Sequence, residues 1–163
     1  TRIPLLANGT IDLECGSTTN NAERLKLVAF TNTHFLTASR YVSKKANNLN
    51  SIDDLKGKTV VSTAGTTNIK QLTEVNAARN LGITIVPAKD YAEAFLMVET
   101  DRAAALVMDD VLIASFVAGA KDPAAYVISP DAFSKPEPYG IMLRRDDTAF
   151  KKVIDAGVCR CAS

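Results

Sequence analysis

Between residues 59 and 120 the chain repeats one pattern: an apolar, strand-like run, a small polar corner, then a helical stretch. "TVVST" (59–63) leads through "AGTTN" into "IKQLTEVNAARNL"; "ITIVPA" (83–88) leads through Lys89 and Asp90 into "YAEAFLMVET". "AAALVM" (103–108) leads through Asp109 into "DVLIASFVAGA". Strands alternating with helices of this length build α/β units around a largely parallel sheet. Gly82 is expected to stop the first helix, and Asp90, with Glu93 three residues on, to cap the second. Ligands of such sheets bind beyond the carboxyl ends of the strands. That singles out Thr63–Asn68, Lys89–Tyr91 and Asp109.

The flanks extend the pattern. "IDLEC" (11–15) reads as a strand, "GSTTN" (16–20) as its corner, and "NAERLKLVAF" (21–30) as a helix begun by an Asn20/Glu23 capping box. The same hydroxyl-rich corner is therefore written twice, at 16–20 and 64–68, with no repeat at any larger scale. "HFLTASRYVSKK" (34–45) reads as one extended segment, and "SIDDL" as a short helix ended by Gly57. "YVIS" (126–129) and "YGIMLRR" (139–145) are the last strands, and Asp147 begins a closing helix over 147–157.

Composition narrows the function classes. With 47% hydrophobic and 23% charged residues in 163, the chain is an ordinary globular one. Its net charge is +1 with no clustering of Lys and Arg, which argues against a nucleic-acid partner. Its apolar stretches are too short and too interrupted to span a bilayer. The front shows no signal-peptide pattern and no initiator Met, so a processed or truncated start is expected. Cys15, Cys159 and Cys161 allow at most one bridge, and "CRC" is too tightly spaced for a metal site.

The corners carry the chemistry. Helix N-termini offer free N–H groups and partial positive charge. Ser17, Thr18, Thr19, Thr63, Thr66 and Thr67 add hydroxyls able to meet a carboxylate, and Arg24, one turn into the first helix, a bidentate fork. Asp109 ends an apolar strand, where a carboxylate calls for a cation; a bound ammonium would supply one. Together these describe a receptor for a zwitterionic amino acid. Each residue also has a plainer reading: Ser, Thr and Asn as helix caps, Arg24 as a solvated charge, Asp109 as the cap of the next helix. His34, the one histidine, reads as a packed strand residue.

No G-x-S-x-G, H-E-x-x-H or Walker loop is present, and no cofactor or metal is implied. Glu14 and Asp110 are the carboxylates a dehydratase would use, but neither has an acid–base partner in the sequence.

"RIPLLANGTIDLECGSTTNNAER", "SIDDLKGKTVVSTAGTT", "VMDD" and "YGIMLRRDD" resemble the periplasmic glutamate/aspartate-binding proteins of ABC transporters, two-lobed Venus-flytrap (type II) solute-binding proteins of family 3. The resemblance runs from about Arg2 to Lys152. It implies a periplasmic-binding-protein-like α/β fold: a complete lobe over 39–134, hinge strands at 34–38 and 135–138, and a partial lobe from 1–33 and 139–163. It implies an amino acid, L-glutamate or L-aspartate, held in an interlobe cleft and delivered to a membrane permease, in the periplasm or outside the cell. By position, Arg24, Thr19 and Thr67 match the residues on the α-carboxylate. Asp109, helped by Ser17 and Thr19, matches the α-amino partner, and Arg2 and Ser17 match the residues on the side-chain carboxylate.

Three departures stand out. Tyr91 occupies the place of the family's usual histidine, and a neutral phenol donates one hydrogen bond without becoming cationic. Lys89 is the nearby cation that could compensate. The chain also begins well inside the family pattern, and "DAGVCRCAS" leaves it early. A partial lobe exposes sheet edges and apolar surface, which favours a homo-oligomer, and leaves open a scaffold that acts by interaction without transport.

Overall fold

The computed structural model describes residues 2–161. In chain order the elements begin with α1 (Arg2–Ala7), β1 (Leu13–Glu14), β2 (Ala29–Phe30) and β3 (Phe35–Thr37). The middle holds β4 (Ser39–Lys44), β5 (Thr59–Thr63), α2 (Thr67–Arg79), β6 (Thr84–Ala88), α3 (Tyr91–Glu99), β7 (Ala105–Asp109), α4 (Asp110–Gly119) and β8 (Tyr126–Ile128). The last are β9 (Glu137–Tyr139), β10 (Met142–Leu143) and α5 (Thr148–Cys161). The chain forms two compact units, a central one from Ala38–Lys135 and a terminal one from the segments up to Thr37 and from Pro136 onward.

The central unit is a five-stranded sheet in the order β6-β5-β7-β4-β8. Strand alternation sorts its apolar residues onto two faces. Val60, Ala105 and Val107 pack with Leu72 of α2 and with Leu49, Leu55 and Leu81. Val61, Leu106 and Met108 pack with Phe95 and Val98 of α3 and Ile113 of α4. Val60, Val61 and Leu106 are all fully buried, and each such side chain contributes about 1.5–3 kcal/mol.

The sheet is mixed rather than largely parallel. β5 runs parallel to β6 and β7, but β4 pairs antiparallel with both β7 and β8. The extended run read over 34–45 is interrupted at Ala38: β3 pairs with β9 in the terminal unit, while β4 enters the central sheet. α2 starts at Thr67, within the corner, and ends before Gly82. Asn80 takes the left-handed conformation (φ 51°) and closes the helix, because its short polar side chain tolerates that region. Asp90 caps α3 as expected, accepting from the Glu93 N–H at 2.9 Å.

The terminal unit has an antiparallel sheet in the order β1-β10-β2 and a separate β3–β9 ribbon. α1, which the sequence reading does not assign, buries Leu6 against Val28, Phe30 and Met142. The helix expected over 21–30 is absent; a single 3-10 turn at Arg24–Lys26 is followed by β2. A helix here would find no core for Leu25 and Leu27, which are 46% and 58% exposed, whereas Val28 and Phe30 alternate inward at strand spacing. The turn is capped from Asn21, whose Oδ1 accepts from the Arg24 N–H at 2.9 Å, and Glu23 makes no side-chain cap. The "YGIMLRR" strand is split into β9 and β10 at Gly140, where a Cβ would come within 3.0 Å of the Phe30 ring. Asp147 does begin the closing helix, accepting from the Phe150 N–H at 3.0 Å. Cys15 is an exposed free thiol; the side chains of Cys159 and Cys161 lie outside the described residues.

Candidate functional site

In the terminal unit the corner after β1 is fixed by backbone bonds. Asn20 N–H donates to Pro138 O at 2.8 Å, Gly140 N–H donates to Thr18 O at 3.1 Å, and Thr19 bridges Tyr139. Thr18 and Thr19 are thereby buried, and Ser17 is half-buried. The Thr18 hydroxyl donates to Glu14 Oε2 at 2.7 Å, and Arg2 lies 3.7 Å from Glu14 Oε1. Arg24 opens the 3-10 turn and donates from one guanidinium nitrogen to Thr19 O at 2.8 Å. It is half-buried and tied to the corner, not a solvated helix charge. Two subsets of the expected residues are thus gathered here: Arg2 and Thr18 on Glu14, and Arg24 on Thr19. Glu14, the candidate dehydratase carboxylate, has both oxygens engaged by these contacts.

In the central unit the corner follows β5. Ala64 N–H donates to Ala88 O at 2.9 Å, and Gly65 takes φ +75°, which turns the chain into α2. Thr66 is the N-cap: its hydroxyl donates to Thr63 O at 2.7 Å and accepts from the Ile69 N–H at 3.4 Å. Thr67 is the first helical residue. The Thr63 hydroxyl is buried and has no hydrogen-bond partner among the described residues, a position that calls for one.

Asp109 is 3% exposed. It holds the N-cap position of α4, as the plainer reading expected, but its side chain makes no capping bond there. Its Oδ1 instead accepts from Asn68 Nδ2 at 2.7 Å. The same Nδ2 donates to Ser39 Oγ at 2.7 Å, and Ser39 Oγ donates to Gln71 Oε1 at 2.5 Å. Sequence reasoning missed Ser39 and Gln71. The available signal was helical spacing: Asn68, Gln71 and Leu72 share the inward side of α2, where two polar residues on a buried stripe require partners.

Tyr91 is the half-buried first residue of α3, three positions beyond Ala88, which pairs in register with Thr63. Lys89 is not directed inward: its side chain is 85% exposed and lies 3.8 Å from Asp90. Asp110 lies 3.9 Å from Arg40 Nε. His34 is exposed rather than packed: it precedes β3, in a run from Asn32 to Leu36 that is exposed throughout. The central unit therefore brings Thr63, Thr66, Thr67 and Asp109 to one end of its sheet, with Tyr91 following the adjacent strand. The arrangement can accept hydrogen bonds from a cation and donate them to an anion.

Comparison with known proteins bears on the same features. Residues 1–161 match the profile of the bacterial extracellular solute-binding proteins, family 3. The chain is 49% identical over 160 residues to an L-glutamate/L-aspartate-binding protein of Pseudomonas aeruginosa, covering 97% of this chain and 52% of that protein. It is 46% identical over 154 residues to the glutamate/aspartate import solute-binding protein of Escherichia coli K12, covering 94% of this chain and 51% of the relative. It spans about half the length of these curated relatives. Among solved structures, an ancestral arginine-binding protein bound to arginine superposes with a TM-score of 0.87 at 29% identity, over 98% of this chain and 69% of that one. On sequence and fold together, the chain belongs to the bacterial extracellular solute-binding proteins, family 3.

Proposed function

We propose that this chain binds an acidic L-amino acid, L-glutamate or L-aspartate, for delivery to the permease of an ABC importer, working in the periplasm or at the cell exterior and performing no covalent chemistry. The observation that carries the reading is Asp109, a carboxylate 3% exposed beside the start of α2 and oriented by Asn68 instead of capping its own helix. Such a carboxylate suits an ammonium ion. In this reading the central unit supplies Asp109 for the α-amino group and Thr67 for the α-carboxylate, with Thr63, Thr66 and Tyr91 alongside. The terminal unit supplies Arg24 and Thr19 for the α-carboxylate, and Ser17, Thr18 and Arg2 toward the side-chain carboxylate. The β3–β9 ribbon corresponds to the hinge of 34–38 and 135–138, the central unit to the lobe of 39–134, and the terminal unit to the partial lobe.

Relatives named for glutamate and aspartate support that ligand class. The dehydratase alternative is disfavoured because Glu14 is held by Arg2 and Thr18. The test is isothermal titration of the full chain with L-glutamate, L-aspartate and L-glutamine after unfolding and refolding to remove carried-over ligand. The expected result is micromolar or tighter binding of an acidic amino acid. Silence toward all three from a folded sample overturns the receptor reading and favours a scaffold that acts through its surface.

A further inference from the structure

With Asp109 ionised and able only to accept, the bonds that run through Asn68 have one allowed sense. Ser39 Oγ has a single proton, and it goes to Gln71 Oε1 at 2.5 Å. Toward Asn68, then, Ser39 acts only as an acceptor, which requires the NH₂ of the Asn68 amide and not its carbonyl on that side. The same NH₂ reaches Asp109 Oδ1 at 2.7 Å. Both amide protons are engaged, and a flipped amide would set its carbonyl against a carboxylate and a hydroxyl oxygen at once. The relay Asn68 to Ser39 to Gln71 therefore fixes a donor on Asp109. It joins β4, β7 and α2, since Ser39 lies opposite Asp109 in the ladder and Asn68 and Gln71 sit on the first turns of the helix. Asn68 and Ser39 are both at least 97% buried, at 3% and 0% exposure, so water does not readily replace these bonds.

We propose that Asn68 is the positioning residue for the ammonium-binding carboxylate: by donating to Asp109 Oδ1 it keeps that side chain ionised and aimed. This deepens the receptor reading and rests on it for the ligand, but not for the state of Asp109 itself. A donor on a buried carboxylate favours the charged form, and removing it favours protonation. The other ionisable residues on β4, α2 and α4 are Arg40, Tyr41, Lys44, Lys70, Glu74, Arg79 and Asp110; Arg40 and Asp110 directly follow Ser39 and Asp109 in the chain, and Arg40 Nε lies 3.9 Å from the Asp110 carboxylate. The relay also implies selectivity. An amino acid exploits an oriented Asp109, whereas a dicarboxylate without an amino group does not.

The experiment has two readouts on the whole chain. Carbon-detected NMR follows the Asp109 carboxyl through a pH titration, assigned by Asp109→Asn, in the wild type, Asn68→Ala and the volume-filling Asn68→Leu. Calorimetry then compares L-glutamate with glutarate, which keeps both carboxylates and lacks the amino group. The Asp109 titration is expected to move upward in both variants, with L-glutamate binding weakened about tenfold or more and glutarate binding unchanged. An unmoved Asp109 titration in whichever variant folds overturns the proposal, as does equal loss of both ligands, which a merely structural role would produce. If the wild type binds neither ligand, the receptor reading fails, while the Asp109 titration still decides the role of Asn68.

Discussion

A guanidinium anchored at one nitrogen presents the rest of its planar fork in a set direction, and Arg24 is anchored by Thr19 O at 2.8 Å. Lysine offers charge without that geometry. Arg24→Lys is therefore expected to bind L-glutamate about tenfold or more weakly than wild type by calorimetry, and Arg24→Ala to abolish binding. Equal affinity in Arg24→Lys would remove the fork from the contact set. Gly16 tests the same corner by another route. A Cβ there would collide with Glu14 Oε1, so Gly16→Ala must displace the carboxylate that Arg2 and Thr18 hold. The carboxylate is the end of a flexible side chain and can swing aside, so the expected loss is about 1 kcal/mol by chemical denaturation. An unchanged stability would show that the Glu14 contacts contribute nothing net.

Among the elements, those whose sequence period coincides with their burial were legible. β5, β6 and β7 with α2, α3 and α4 were readable because Val60 and Val61, or Leu106 and Val107, are both inward on opposite faces and give continuous apolar runs. Asp90 was readable as a cap because local hydrogen bonding decides it; Asp90→Ala should destabilise the protein by about 1 kcal/mol in denaturant titrations, and no loss would mean the α3 terminus is held by packing alone. The helix read at 21–30 failed because Asn20 and Glu23 imitate a capping box while the partner that decides the segment, β10, lies more than a hundred residues away in the ladder of Met142 with Phe30. The direction of β4 was not legible for the same reason, since strand alternation is identical in parallel and antiparallel pairs. At the corners the hydroxyls were readable one by one, but the Ser39–Gln71 bond joins β4 to α2 and has no local signature.

Taken whole, each unit carries a carboxylate whose ionised form the fold favours. In the central unit Asp54 accepts from the Asn50 and Ser51 N–H groups, which lower its pKa. In the terminal unit burial pushes Asp155 upward, but the Lys151 hydrogen bond and the Asn32 N–H outweigh it and leave its pKa lowered. Groups with depressed folded-state pKa stabilise above their unfolded pKa, and that stability is lost as pH falls through the folded value. The urea midpoint is thus expected to fall as pH drops through and below the ordinary carboxylate range, and to fall less steeply in Asp155→Asn. An identical pH profile in that variant would remove Asp155 from the acid sensitivity.

The order of strands in the terminal unit, β1-β10-β2, also sets a schedule for the newborn chain. Synthesis runs from the amino end, so β1 and β2 emerge well before the strand that lies between them. Every strand and helix of the central unit then follows as one uninterrupted stretch, Ala38–Lys135, which can condense on its own contacts. Only when Met142 and Leu143 have been translated does the missing middle strand reach Leu13 on one side and Phe30 on the other. Of the two units, the terminal one is entered first and closed last, and the apolar residues of β1 and β2 must wait through translation of the whole central unit for the strand that shelters them.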